Sequence, residues 1–133
     1  MEYYINEPYP SIDNLDMNIA YGQILLSNIG GLQCEMNAVS LYFYNHVILE
    51  QLWPELSQAM HKISIVEMHH LEMLGKIIIL LGGEPGYWIN NKKKNYWSSK
   101  LVDYDLSSIK NILTVDIQDE KVAIKQYKET ITQ

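Results

Sequence analysis

The chain has 133 residues, 47% of them hydrophobic, and a formal net charge of −6, which fits one domain with a buried core and excludes a disordered segment. The acidic balance argues against a nucleic-acid partner. No signal peptide is evident and the most apolar run, 77–81, is too short to cross a bilayer. We therefore expect no membrane partner and a cytoplasmic location, which the single cysteine, Cys34, also suits.

An extended arm and a helix come first along the chain. Residues 1–13 are rich in tyrosine and proline and predict the arm. A helical pattern begins near Asn14 or Asp16, with Asp13 or Asn14 as its cap. Gly30-Gly31 then interrupts the pattern, either as a kink or as a close crossing of two helices.

Two longer helical segments follow. The pattern is helical over 32–49 and again over 54–81, where Pro54 suits a first helical turn. On the second segment, core positions recur at alternating spacings of three and four, which is typical of the seam of a helix bundle. The members of this seam are Leu56, Met60, Ile63, Glu67, His70, Leu74, Ile78 and Leu81.

Residues 84–105 predict a long connection without regular structure. About 22 extended residues reach roughly 70 Å, more than the roughly 45 Å length of the preceding helix. The connection can therefore run back along the bundle and make the last helix, 106–131, parallel to the helix before it. The sequence thus predicts a single all-α domain over 1–133, with four-helix-bundle architecture and a crossover between the second and third bundle helices.

Groups that can bind metal stand in the middle of apolar helix faces. Glu67 and His70 are three residues apart, so both can reach one cation from the same face. Glu35 and Glu120 hold similar positions on the helices before and after. Charges buried in this way are costly unless something neutralises them, and iron and manganese prefer carboxylate and imidazole ligands. The sequence predicts a metal site with these four residues as ligands.

Tyr42 and Tyr127 each follow a predicted ligand by seven residues, one heptad along the same face. A phenol there can hydrogen-bond a ligand carboxylate or act as a one-electron donor, and we favour the hydrogen bond. Taken singly, each residue also has a structural interpretation, as an exposed glutamate or a core tyrosine. Their combination favours the metal site.

The motifs Glu35-x6-Tyr42, Glu67-x-x-His70 and Glu120-x6-Tyr127 resemble those of the ferritin-like superfamily. The resemblance covers about residues 15–133 and is strongest to rubrerythrin and bacterioferritin-like di-iron proteins, which are related to manganese catalases. It implies a di-iron or di-manganese oxidoreductase that acts on ferrous iron, O2 or peroxide. No rubredoxin-type cysteine pairs are present, so we expect no electron-transfer domain of that kind.

The sequence departs from the family pattern in one respect. A second Glu-x-x-His helix should follow Glu120, and without it four of the six expected ligands are present. Residues 14–29 contain no Glu or His that could substitute. Either the last helix is missing from this chain, or a second subunit supplies it in a homo-oligomer, or the site is vestigial. The alternative function is a non-catalytic helical assembly or iron-handling subunit.

Overall fold

The computed structural model of the chain describes residues 5–89, 92–105 and 107–133. The described part is all-α, as the sequence predicts, and the predicted helix start at Leu106 lies outside it. A 3-10 turn and an isolated antiparallel bridge between Trp88 and Tyr96 lie in the connection after the third helix. The helices are α1 (Ile19–Gly30), α2 (Glu35–Leu49), α3 (Pro54–Leu80) and α4 (Ile109–Ile131). Among the described residues, none of the helices combines the length and the apolar character that crossing a membrane requires.

The helix caps decide where the helices begin. The side chain of Asn18 accepts a hydrogen bond from the backbone N–H of Tyr21 and starts α1. The predicted start near residue 14 is wrong, because Asn14 has a φ of 64°, in the left-handed region that a helix interior excludes. Cys34 caps α2 and Ser108 caps α4 in the same way, so both helices begin about one turn later than the periodicity indicates.

Side-chain contacts between the helices establish their directions. Along α2 the residue numbers rise while those of its partners on α3 and α4 fall, so α2 is antiparallel to both. The contacting pairs are Val39 with Ser64, His46 with Ser57, Tyr42 with Glu120 and Asn45 with Asp116. Since α3 and α4 are therefore parallel, the connection between them runs back along the bundle. The predicted crossover is confirmed.

The apolar core is divided into two clusters. The first joins α1, α3 and the start of the crossover, and the second joins α2, α3 and α4. The buried members of the first are Leu25, Leu26, Ile29, Leu74, Ile78, Leu81 and Trp88, and those of the second are Tyr42, Leu49, Met60 and Ile112. Each large apolar side chain buried in this way contributes roughly 1.5–3 kcal/mol. The middle of α3 lies between the two clusters.

The apolar face predicted to point inward on α4 does so only in part. The buried residues of α4 are Ile112, Asp116 and Thr130. Four of the predicted core positions are exposed instead, namely Leu113, Ile117, Ile124 and Ile131. We call these four the α4 stripe. The prediction was wrong for them because the described residues leave this side of α4 uncovered, and an exposed apolar row of this length is typical of an interaction surface.

The Gly30-Gly31 pair lies where the crossover meets α1. A Cβ atom on Gly30 would lie 2.4 Å from the backbone N of Trp88 and 2.6 Å from the backbone C of Tyr87. The N–H of Gly31 donates to the carbonyl of Ser27 and closes the helix. The pair therefore marks a helix end and a close backbone approach, rather than the predicted kink or helix–helix crossing.

Asp116 joins α4 to α2, but one of its carboxylate oxygens is only buried and not hydrogen-bonded to the described residues. Its Oδ1 accepts a hydrogen bond of 3.3 Å from the Asn45 amide, whereas its Oδ2 is buried with no hydrogen-bond partner among the described residues. Burial, and next the charges of Asp119 and Glu120, raise the pKa of Asp116 to about 7. The folded chain thus keeps a proton on Asp116 at pH values where the unfolded chain has lost it.

The close approach at Gly30 can be tested with a matched pair of glycines. We expect Gly30→Ala to lower the free energy of unfolding by about 2–3 kcal/mol, because the methyl group meets backbone atoms that cannot move aside. Gly75→Ala in α3 should raise it by about 0.5–1 kcal/mol, since its Cβ would meet Pro85 at an ordinary 3.7 Å. Urea denaturation measures both, and equal effects would contradict the packing described.

Asp116 should make stability depend on pH. Because its folded pKa lies above its unfolded value, its contribution to the free energy of unfolding falls as the pH rises from about 4 to about 7. The side chain of Asp116→Asn cannot ionise. We therefore expect the free energy of unfolding of this variant to exceed that of the wild type by about 1–2 kcal/mol at pH 8, and by less at pH 5. The control is Asp105→Asn, an exposed aspartate that accepts from the Ser107 N–H. A gain for Asp116→Asn that is the same at both pH values would refute this account.

Candidate metal centre

The polar residues of the bundle interior lie between the two apolar clusters. Glu67 and His70 project from the middle of α3, one helical turn apart, and Glu35 faces them from the first turn of α2. Glu35 and Glu67 are buried, whereas the His70 side chain is 40% exposed. The N-terminal position of Glu35 favours a negative charge, because the helix dipole is positive there.

Glu35, Glu67 and His70 converge on one point. One ligand atom of each lies within 4.8 Å of the other two. The Nδ1 atom of His70 is 2.8 Å from Oε2 of Glu67 and 3.9 Å from Oε2 of Glu35. A cation bound at about 2.1 Å to each atom needs separations of about 3–4 Å, so the three groups could hold a metal ion with small side-chain adjustments. Within the described ranges, this is the one group of three acidic, histidine or cysteine side chains that converges so closely.

Glu120 lies on the opposite wall of the same cavity. The cavity has a volume of about 220 Å³ and is bounded by α2, α3 and α4. Glu120 lines it together with Glu35, Glu67 and His70 but stands outside their close group. The structure therefore brings all four predicted ligands to one cavity, three of them within reach of a single ion.

The two tyrosines pair crosswise with the glutamates. The hydroxyl of Tyr42 on α2 donates to Oε1 of Glu120 on α4 at 2.5 Å, and the hydroxyl of Tyr127 on α4 donates to Oε1 of Glu35 on α2. A separation of seven residues is about 10 Å along a helix, so neither phenol reaches the glutamate of its own helix. Because α2 and α4 are antiparallel, each tyrosine lies beside the glutamate of the other helix. Sequence spacing alone gives no sign of this exchange.

Glu35, Glu67 and His70 share protons. The carboxyl groups of Glu35 and Glu67 hydrogen-bond each other, so one of them holds a proton. Burial, followed by the hydrogen bond with Glu67, raises the pKa of Glu35. Burial also opposes ionisation of Glu67, but hydrogen bonds with His70 and Glu35 outweigh it and lower the pKa of Glu67. The hydrogen bond with Glu67 raises the pKa of His70. Of the two carboxyl groups, Glu35 is therefore the one that takes up a proton more readily.

Burial also raises the pKa values of Glu120 and of the two tyrosines. It raises the pKa of Glu120, while the hydrogen bond from Tyr42 partly offsets the effect. Burial, followed by the neighbouring glutamate, raises the pKa of both Tyr42 and Tyr127 well above the usual range for tyrosine. Both phenols therefore stay protonated at neutral pH and act as hydrogen-bond donors to the carboxylates.

The chemistry of the walls fits a metal cation. Four carboxyl groups line the cavity, those of Glu35, Glu67, Asp119 and Glu120, and no lysine or arginine is among the described residues around it. His70 is the one basic group facing them. Buried carboxylates need a compensating charge, and oxygen ligands with one imidazole are what iron and manganese prefer.

Sequence reasoning missed three residues that line the cavity, Gln33, Asn37 and Asp119. Gln33 donates to Asp119 at 3.3 Å, and Asn37 has a buried Oδ1 with no partner among the residues described. Gln33 precedes α2, and the other two stand beside the apolar faces rather than on them, so periodicity could not single them out. His46, which shares a face with Glu35, contacts Ser57 instead and lies outside the cavity.

Comparisons with known proteins agree with this fold. Wild-type KatB, a manganese catalase from Anabaena, and a second KatB structure, from Anabaena PCC7120, share the fold with a TM-score of 0.81 at 23% identity. Each match covers 99% of this chain and 66% of the catalase chain, so this chain spans just under two thirds of the catalase. No curated protein sequence matches the chain. The sequence model of the ferritin-like domain matches residues 31–133, and because that match covers most of the chain, the protein belongs to the ferritin-like family.

Proposed function

We propose that this chain is a ferritin-like metal-binding oxidoreductase with a di-iron or di-manganese centre, acting on ferrous iron, O2 or peroxide. The observation that carries the proposal is the convergence of Glu35, Glu67 and His70 in a buried cavity with no lysine or arginine in its described walls. The shared fold with a manganese catalase supports it, because that protein's bundle serves a manganese enzyme acting on peroxide.

The four predicted ligands take different roles in this proposal. Glu67 adjoins His70 and belongs to the same close group as Glu35, so these three residues would hold a metal ion together. His70 would contribute an imidazole nitrogen. Glu120, across the same cavity, would contribute a further carboxylate to the centre.

Two tyrosines and the apolar clusters determine the orientation and the surroundings of these ligands. Bound iron or manganese would supply the electron transfer that reactions of O2 or peroxide require. Tyr127 and Tyr42 hold Glu35 and Glu120 through their hydroxyl groups, which fixes the orientation of both carboxylates. The apolar clusters on either side of the cavity lower the polarity around it, which strengthens the charge interactions inside it.

Further ligands would come from another copy of the chain. One copy supplies four ligands, fewer than the six typical of di-metal bundles. We propose that a helix of a second copy packs along the α4 stripe and brings the rest. Ile124 supports this position, because it is exposed and also lines the cavity, so the stripe borders the centre.

A second candidate function is a non-catalytic helical assembly with an incomplete site. The hydrogen bonds among Glu35, Glu67 and His70 favour it, since they partly satisfy these groups without a metal. The two functions differ in how the stability of the fold responds to metal: the oxidoreductase should be stabilised by metal, and the non-catalytic assembly should not.

Replacing two ligands separates these functions. In the wild type, manganese(II) or iron(II) at 100 times its dissociation constant should stabilise the fold by about 2.7 kcal/mol. The double variant Glu67→Gln/His70→Leu should lose this gain but keep or exceed the metal-free stability, because buried charge is removed. Thermal melts with and without metal measure both quantities.

The matched control is Glu72→Gln, an exposed glutamate on the same helix that pairs with Lys76 at 2.6 Å. It should keep the full response to metal. Wild-type protein that binds less than about a tenth of an equivalent of either metal would instead favour the non-catalytic assembly.

The proposed association can be tested by sedimentation equilibrium. The wild type should form a dimer or larger oligomer, because the α4 stripe leaves four large apolar side chains exposed. Leu113→Glu/Ile117→Glu, at two stripe residues that do not line the cavity, should shift the chain towards the monomer and weaken metal binding together. Ile79→Glu, a similarly exposed isoleucine on α3, is the control. A monomeric wild type at all concentrations would rule out completion of the site by a second copy.

A further inference from the structure

The N-terminal arm lies across the open side of the metal centre. Between the arm and the bundle is a space of about 560 Å³. The arm side is formed by Ile5, Glu7, Pro8, Tyr9 and Pro10, and the bundle side includes Tyr42, Glu67, His70 and Glu120. Because these four bundle residues also line the inner cavity, the space under the arm leads directly to the proposed ligands.

Tyr9 is the arm residue that contacts the centre. Its ring centroid lies 6.2 Å from that of His70, with the rings at 89°, and 6.0 Å from that of His69. Both distances are within the range in which aromatic rings attract each other, and the His70 contact has the favoured edge-to-face arrangement. His70 is the most exposed residue of the close group, so it is the ligand that most needs support from outside the bundle.

Two prolines stiffen the arm at this contact. Pro8 fixes its own φ, and Pro10 restricts Tyr9 to extended conformations. Flanking prolines reduce the conformational entropy that the chain loses when the arm settles on the bundle. The ring can therefore stay in place at low cost although Tyr9 itself is 49% exposed.

We infer that Tyr9 is a positioning residue of the metal centre, which holds the His70 imidazole in its ligating orientation while the arm narrows the entrance. The inference rests on the proposed function, because His70 is a ligand only if that function holds. Glu7, Glu67 and Glu120 make the entrance acidic. The entrance therefore admits divalent cations and small uncharged molecules and disfavours bulky anions.

The test uses the full chain loaded with cobalt(II), whose visible spectrum reports the geometry of its ligands. Tyr9→Ala should change this spectrum and raise the rate of cobalt removal by EDTA about five- to tenfold, the lower end of the range expected from the loss of two ring contacts. Tyr9→Phe should match the wild type, since the contacts are made by the ring. Tyr87→Ala, which removes a similarly exposed tyrosine, is the control and should also match.

Unchanged spectrum and removal rate in Tyr9→Ala would overturn the inference, as would a Tyr9→Phe effect as large as that of Tyr9→Ala. If the wild type binds no cobalt, the proposed function fails, and the arm is then tested in the metal-free protein by NMR. Tyr9→Ala should shift the ring-proton resonances of His69 and His70 but not those of His46 and His61, which stack on each other away from the arm. Unmoved resonances of His69 and His70 would overturn the position of Tyr9 itself.

Discussion

The structure depends on the approach of Glu35, Glu67 and His70 in a cavity whose described lining contains no lysine or arginine. These three groups lie between the two apolar clusters of the interior. Without a cation, burial and next the hydrogen bond with Glu67 raise the pKa of Glu35, while His70 pairs with Glu67. A metal ion would relieve this condition, because it replaces the proton with a charge that all three groups can bind.

The directions of the helices give the cavity two similar tyrosine–glutamate pairs. Because the crossover makes α3 and α4 parallel, α2 is antiparallel to α4, and their Glu and Tyr residues exchange partners. Each carboxylate is thereby oriented by a phenol from the facing helix. The exchange also ties α2 to α4 at two points, which explains how α4 keeps its place although it buries few of its own residues.

The centre is open on the side where the bundle is least covered. The α4 stripe borders the cavity with apolar side chains, and the arm covers the entrance with Tyr9. In our proposals the α4 stripe is the surface on which a helix of another copy packs, and the arm limits which ions and molecules reach His70.

The sequence alone determined the local features. The helical repeat of 3.6 residues places Glu67 and His70 on the seam of α3, and chain length alone allows the crossover. Only the tertiary structure decided which tyrosine serves which glutamate, which side of α4 stays exposed, and that Tyr9 lies over His70. Those contacts join residues about 60 to 90 positions apart, and periodicity carries no information about partners at such separations. The caps of α1 and α2 also escaped prediction, because several polar residues near the start of α1 could cap it, and the cap of α2 is Cys34, a residue type that seldom caps helices.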